Sequence, residues 1–224
     1  MINYTPFPLR IPFDWNVKIE PVYRILDDTK WMENFFETGE LMLSCFNKFR
    51  NYPDEMQGDK NEGEGIVGGI DNKGNHNYII YESGLNAFIM SNTTELTKEV
   101  INDFNGKCAI KIHNPTLFAL EISKKLPFVK SGLEGKCTYV KSRVHIFEKE
   151  KAENKAFQNI DFQNDYNKNE QFSAITMGNE LFLKLEKYKH QNEYRLIWFS
   201  DSKLNDSILI KCPEAIRFCE KIIW

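Results

Sequence analysis

Three observations make the sequence predict an α+β fold. Short β-prone runs recur along the chain, with helical segments clustered between them. No Pro-, Gly- or Ser-rich linker separates two periodic halves, so residues 1–224 read as a single domain. Hydrophobic residues make up 42% of the chain and aromatic residues 13%, which suffices for one substantial core.

The elements follow in order. Residues 1–16 carry Phe7-Pro8 and Ile11-Pro12-Phe13, which predicts an extended, packed N-terminal arm. Residues 17–25 alternate enough for a strand broken at Pro21. Thr29–Thr38 has helical spacing, with Trp31, Phe35 and Phe36 on one side and Gly39 as its stop. Residues 41–46 are apolar and predict a buried strand. Residues 51–74 are polar, acidic and glycine-rich, so they predict a long loop, and loops of that length are often functional. Strands are expected at 77–81 and 87–90, a helix at 94–104, a strand at 108–112 and a helix at 115–125. Residues 138–140 and 144–147 are further strands. Lys, Asn, Gln, Glu and Asp dominate 150–170, as in an exposed helix or loop. Residues 182–188 lead into a strand through Phe199, 207–211 form the last strand, and 213–221 a short closing helix.

Composition narrows the class of protein. A net charge of −3 leaves no global basic footprint for nucleic acid, although a local groove stays open. No apolar run approaches the roughly 20 residues of a membrane helix, and Met1-Ile2-Asn3-Tyr4-Thr5-Pro6 lacks the regions of a signal peptide. The expectation is a cytoplasmic protein without a membrane partner. Five cysteines without a CxxC pair read as buried free thiols, not as a disulfide framework or a zinc site. Four histidines form neither HxH nor HExxH; His113 and His145 lie among apolar residues and read as packed. There is no nucleophile elbow, no Walker-type loop and no strand-linked GxGxxG.

The chemistry concentrates at Tyr188-Lys189-His190-Gln191-Asn192-Glu193-Tyr194-Arg195, where a polar turn runs into an apolar strand. Two residues apart on a strand share a face, so Gln191 and Glu193 are expected to present an amide and a carboxylate side by side. Arg24 follows Tyr23 on the first strand, and Ser91-Asn92-Thr93 ends the strand beginning at Ala87. In that order these elements resemble the Arg, Ser/Thr-x-Ser/Thr and Gln/Glu-x-Glu elements of ADP-ribosyltransferases of the clostridial and cholera-toxin type. More narrowly, they resemble the small bacterial toxin-like members used in phage defence or toxin–antitoxin systems. The matched motifs cover fewer than ten residues, though they span most of the chain.

The resemblance implies a split antiparallel β core with flanking helices, and NAD as substrate. It implies Glu193 and Gln191 as catalytic residues and Arg24, Ser91 and Thr93 as NAD-binding residues, with no metal. Glu193 would hold a ribose hydroxyl and stabilise an oxocarbenium-like transition state. Gln191 would orient the acceptor, and Arg24 would grip the pyrophosphate or ribose with its fork. The hydroxyls of Ser91 and Thr93 would brace the strand edge, and Glu193 with it. The acceptor would be RNA, DNA or protein, and an antitoxin partner is implied. Only Tyr188 offers the aromatic residue expected before Gln-x-Glu.

Other readings stay open at this point. Glu193 and Arg195 can be an ion pair on an exposed strand face. Ser91 to Glu95 can be a helix start capped by Thr94. In the acidic loop, Asp59, Glu62 and Glu64 can be hard-metal ligands of a nuclease, part of a glycine-hinged lid over NAD, or simply solvated. A non-enzymatic interaction module of a defence complex is the remaining alternative.

Overall fold

The computed structural model describes residues 20–51, 60–70, 76–146, 163–176 and 178–224; the predicted arm 1–16 and Asp59 lie outside the described residues. Strand β1 (Val22–Leu26) leads to helix α1 (Thr29–Thr38), β2 (Glu40–Cys45) and α2 (Phe46–Arg50). β3 (Glu64–Ile70), β4 (His76–Glu82) and β5 (Ala87–Thr93) follow, then α3 (Lys98–Asp103), β6 (Cys108–Ile112) and α4 (Pro115–Ser123). β7 (Val129–Lys136), β8 (Thr138–Val140) and β9 (Val144–Ile146) precede α5 (Asp165–Thr176) and β10 (Leu183–Leu185). β11 (Glu193–Ser200), β12 (Ile208–Lys211) and β13 (Cys219–Ile223) complete the set, and the fold is α+β.

β5 organises the main, antiparallel sheet. Along one edge it pairs with β11 from Thr93↔Glu193 to Ala87↔Phe199, and β11 pairs onward with β7. Its other edge is shared by two strands: β2 takes Ile89 and Phe88, whereas β1 takes only Thr93, opposite Tyr23. β2 continues to β12, and β1 continues to β6 and β13. The sheet therefore divides beside residues 90–92, and Arg24 spans the gap by donating from Nη1 to the Ser91 carbonyl at 2.7 Å.

Burial explains the apolar runs. Phe88, Met90, Leu196 and Trp198 face the main core with Met32 and Phe35 of α1 and Phe118 and Ile122 of α4. Ala87, Ile89 and Ile197 face a second core with Phe46, Leu181 and Phe182. β5 and β11 are thus covered on both faces, which selects continuous hydrophobicity over alternation. Helix α1 has its expected bounds: Asp28 Oδ1 accepts from Lys30 N at 2.9 Å, and Gly39 closes the helix at φ 77°. Trp31, however, is exposed; Met32 and Phe35 turn inward instead.

Gly39 supports the first prediction. A Cβ there would overlap the Cys212–Pro213 backbone as well as strain a left-handed φ. Gly39→Ala is expected to lose at least about 1–3 kcal/mol in urea unfolding; an unchanged midpoint would contradict this packing.

Several expectations need correction. β3 lies within the predicted loop: its glycines suggested a turn, but Gly65 leaves space that the Tyr81 ring fills from β4. β7 was hidden by its polarity, which suits an edge strand pairing with β11 alone. The closing segment is a 3-10 helix at Pro213–Phe218 followed by β13, not one helix. Helix α3 begins only at Lys98, capped by Thr97 and not by Thr94, because Thr93 and Glu95 first form a side-chain turn through Thr93 Oγ1. His113 is exposed beside Glu220 at 3.4 Å, since β6 has already ended. Cys45, Cys108, Cys137 and Cys212 are buried free thiols and Cys219 is half-buried.

Glu180 is a buried carboxyl surrounded by hydroxyls. Ser83 Oγ donates to it, Thr176 Oγ1 lies 2.7 Å away and Tyr81 Oη 3.2 Å. Burial pushes its pKa up against those hydrogen bonds. A raised folded-state pKa means that its contribution to stability is full below the ordinary carboxyl value and is lost as pH rises through the folded value. Glu180→Gln is therefore expected to melt higher relative to wild type at pH 8 than at pH 4. A difference independent of pH would contradict this assignment.

Candidate active site

The five residues singled out in the sequence meet in one place. Arg24, Ser91, Thr93, Gln191 and Glu193 line a small pocket of about 30 Å³, with Tyr23 and Phe104 as aromatic walls. A cavity of about 220 Å³ adjoins these residues, lined by Arg24, Ser91 and Glu193 together with Glu62, Lys184 and Ser44. Cross-strand register sets Tyr23, Thr93 and Glu193 abreast on three neighbouring strands.

Gln191 and Glu193 come together by a route other than strand alternation. Gln191 ends a 3-10 helix (Glu186–Gln191), and Asn192 turns the chain through φ 42°, ψ 47° before β11 begins. Asparagine tolerates that left-handed conformation better than most residues. Lys184 then joins the two side chains, donating from Nζ to Gln191 Oε1 at 2.9 Å and to Glu193 Oε2 at 2.7 Å.

Glu193 is held on every side. Its backbone N–H donates to Tyr139 Oη at 2.8 Å, and its carbonyl accepts from Cys137 N at 2.8 Å. Arg195 Nε donates to Oε1 at 2.7 Å. Arg195 Nη1 donates to the Leu181 carbonyl. It also lies 2.7 Å from Glu62 Oε1. That last contact is a close ion pair outside hydrogen-bond geometry, because Glu62 Oε1 receives no hydrogen bond among the described residues. Two carboxylates and two cations thus form a buried, charge-balanced network.

The network controls ionisation. Burial pushes the Glu193 carboxyl up, but the Arg195 and Lys184 charges and hydrogen bonds overcome it and hold the group well below the usual carboxylate range. Burial pushes Lys184 down, and Glu193 and Glu62 more than offset it. Burial raises the Tyr139 hydroxyl and the Cys137 thiol, so both stay protonated near Glu193. The arrangement presents a fixed carboxylate that accepts hydrogen bonds and stabilises positive charge; it is a poor proton acceptor.

Several expected roles change. The Thr93 hydroxyl bonds the Glu95 backbone, not Glu193, and Ser91 meets Arg24 through its carbonyl. Tyr188 is buried, with Lys184 Nζ 4.9 Å from its ring centre, so it is not displayed to an acceptor. The Glu193–Arg195 pair is buried rather than exposed. His190 pairs with Asp103 at 2.6 Å. Glu62 from the acidic segment enters the network, while Glu64 lies on β3; no group of three His, Cys, Asp or Glu side chains gathers to hold a metal among the described residues.

Lys184 and Tyr139 were missed as members of the site, while Arg195 and Glu62 were named in other roles, as an exposed ion-pair partner and as a metal ligand. The sequence carried a signal that Lys184 and Arg195 are buried. Lys184 interrupts Phe182-Leu183-Lys184-Leu185, and Arg195 shares a strand face with Glu193 just before an apolar run. Charges in such positions are buried and need partners.

No protein-family model, curated protein or solved structure matches this chain. Among the described residues, no helix is long and apolar enough to cross a membrane.

Proposed function

We propose that the chain is an NAD-dependent ADP-ribosyltransferase that modifies a macromolecule, RNA, DNA or protein. The observation that carries this reading is the convergence of Arg24, Ser91, Thr93, Gln191 and Glu193 on one cleft at the division of the sheet. The residues present suit the nicotinamide-ribose end of NAD. Glu193 is an anionic acceptor for a hydroxyl, Arg24 places a positive charge beside it for phosphate oxygens, and Tyr23 and Phe104 supply apolar walls.

In the proposed reaction, the bond between ribose C1′ and the nicotinamide nitrogen breaks, and its electron pair leaves with nicotinamide. An acceptor oxygen or nitrogen bonds to C1′ and releases its proton to solvent. Ionised Glu193 stabilises the positive charge that develops on the ribose. Gln191, held by Lys184, orients the acceptor but cannot take its proton. The resemblance extends the reading to a toxin controlled by an antitoxin.

Incubation with NAD labelled in its ADP-ribose half, alongside separate pools of cellular protein, RNA and DNA, tests the reading. Label on one pool supports it and identifies the acceptor class. Absence of both label transfer and nicotinamide release refutes it.

A further inference from the structure

Strand β7 leaves one edge of the main sheet open. Among the described residues it pairs with β11 alone, from Tyr194↔Lys136 to Ser200↔Val129. The ladder continues past its end, where Cys137 N donates to the Glu193 carbonyl. Bonded and non-bonded pairs alternate in an antiparallel ladder. Gly135, Leu133 and Ser131 therefore direct their backbone groups to β11, and Lys136, Glu134 and Gly132 direct theirs outward. Such an edge is a template for another strand. Its charges leave the middle clear: Lys130 and Lys136 stand toward the ends, and Glu134 turns its carboxylate to the Thr116 hydroxyl.

A cavity lies on each face of this edge, and residues 130–133 line both. The one on the α4 side, about 350 Å³, is lined by Ala119, Leu120, Val129 and Trp198. Leu120 is 54% exposed, and Phe128, directly before β7, is 73% exposed at φ 56°. A bulky residue held in the left-handed region is strained, and such strain collects at functional contacts. The cavity on the α5 side, about 790 Å³, is lined by Glu82, Glu170 and Asp201. Glu82 pairs with Arg50, whereas Glu170 and Asp201 make no ion pair among the described residues. One face of the edge is apolar and the other acidic.

We propose that β7 is a docking edge for an extended segment of a partner protein in which apolar and basic residues alternate. The segment adds to the sheet beside β7, its main chain meeting the outward groups of Gly132, Glu134 and Lys136. Successive side chains of a strand point to opposite faces. Apolar ones enter the α4 cavity, and basic ones meet the carboxylates of Glu170 and Asp201. The cavities flank the end of β7 beside Phe199, whereas Glu193 begins β11 at its other end, so docking leaves the cleft open.

Fluorescence anisotropy of labelled peptides added to the full chain tests this. The probe alternates leucine and lysine over the 8-residue length of β7. It is expected to bind at least about 10-fold more tightly than a peptide of the same composition in two blocks, or than one with aspartate for lysine. N-methylation of one alternate set of its residues is expected to abolish binding and of the other set to spare it, because only one set faces β7. Asp201→Lys and Leu120→Lys, both at exposed positions, are each expected to weaken binding about 10-fold with an unchanged circular dichroism spectrum. No binding to wild type, equal binding of the alternating and blocked peptides, or binding unchanged by both variants overturns the proposal. So does self-association of wild type in sedimentation that Leu120→Lys abolishes, which assigns the edge to a second copy of this chain.

Discussion

Glu193→Gln is expected to lower nicotinamide release from NAD by about 10²–10³-fold, the usual consequence of losing one preorganised electrostatic contact. The substitution keeps the shape and removes the negative charge that faces the ribose. It also leaves Lys184 and Arg195 opposed by Glu62 alone, so a folding defect must be separated from a catalytic one. Glu193→Gln combined with Lys184→Met restores charge balance. That double variant is expected to regain a wild-type circular dichroism spectrum and to stay inactive. Recovery of activity with the fold would show that Glu193 acts only through charge balance.

Arg195→Met is expected to have the largest effect on stability, a loss of about 3–5 kcal/mol, because it strands buried Glu62 and leaves buried Glu193 with Lys184 as its remaining counter-charge. Arg195 is 1% exposed and contacts Glu193, Glu62 and the Leu181 carbonyl together. Glu62→Gln should cost less, since Arg195 keeps its hydrogen bonds to Glu193 and Leu181. Urea unfolding of the two variants measures the difference directly. Equal losses would mean that the guanidinium is not the hub of the network.

Legibility followed the physical origin of each signal. Helix α1 could be read to its last residue because its helical spacing and terminating glycine are local signals. The strand cores at 87–90 and 196–198 were visible because both faces are buried. β3 and β7 were not, because their glycines and charges answer to a cross-strand tyrosine and to an edge position that no local window contains. At the site, the motif residues were legible by type and order. Of their supporting network only the Glu193–Arg195 pair was legible, and as an exposed one; Glu62 and Lys184 join it from distant segments once the chain is folded. The Gln191–Glu193 spacing led to the right neighbours through the wrong local geometry, since Asn192 is left-handed and Lys184 makes the junction.

The measurement that tests the central claim most directly is nicotinamide release from NAD by purified wild-type protein, run beside the charge-balanced Glu193→Gln, Lys184→Met variant. The account predicts release by the wild type and none above background by the folded variant. Equal release by the two proteins, or none from a folded wild type supplied with cellular protein, RNA and DNA, would contradict it.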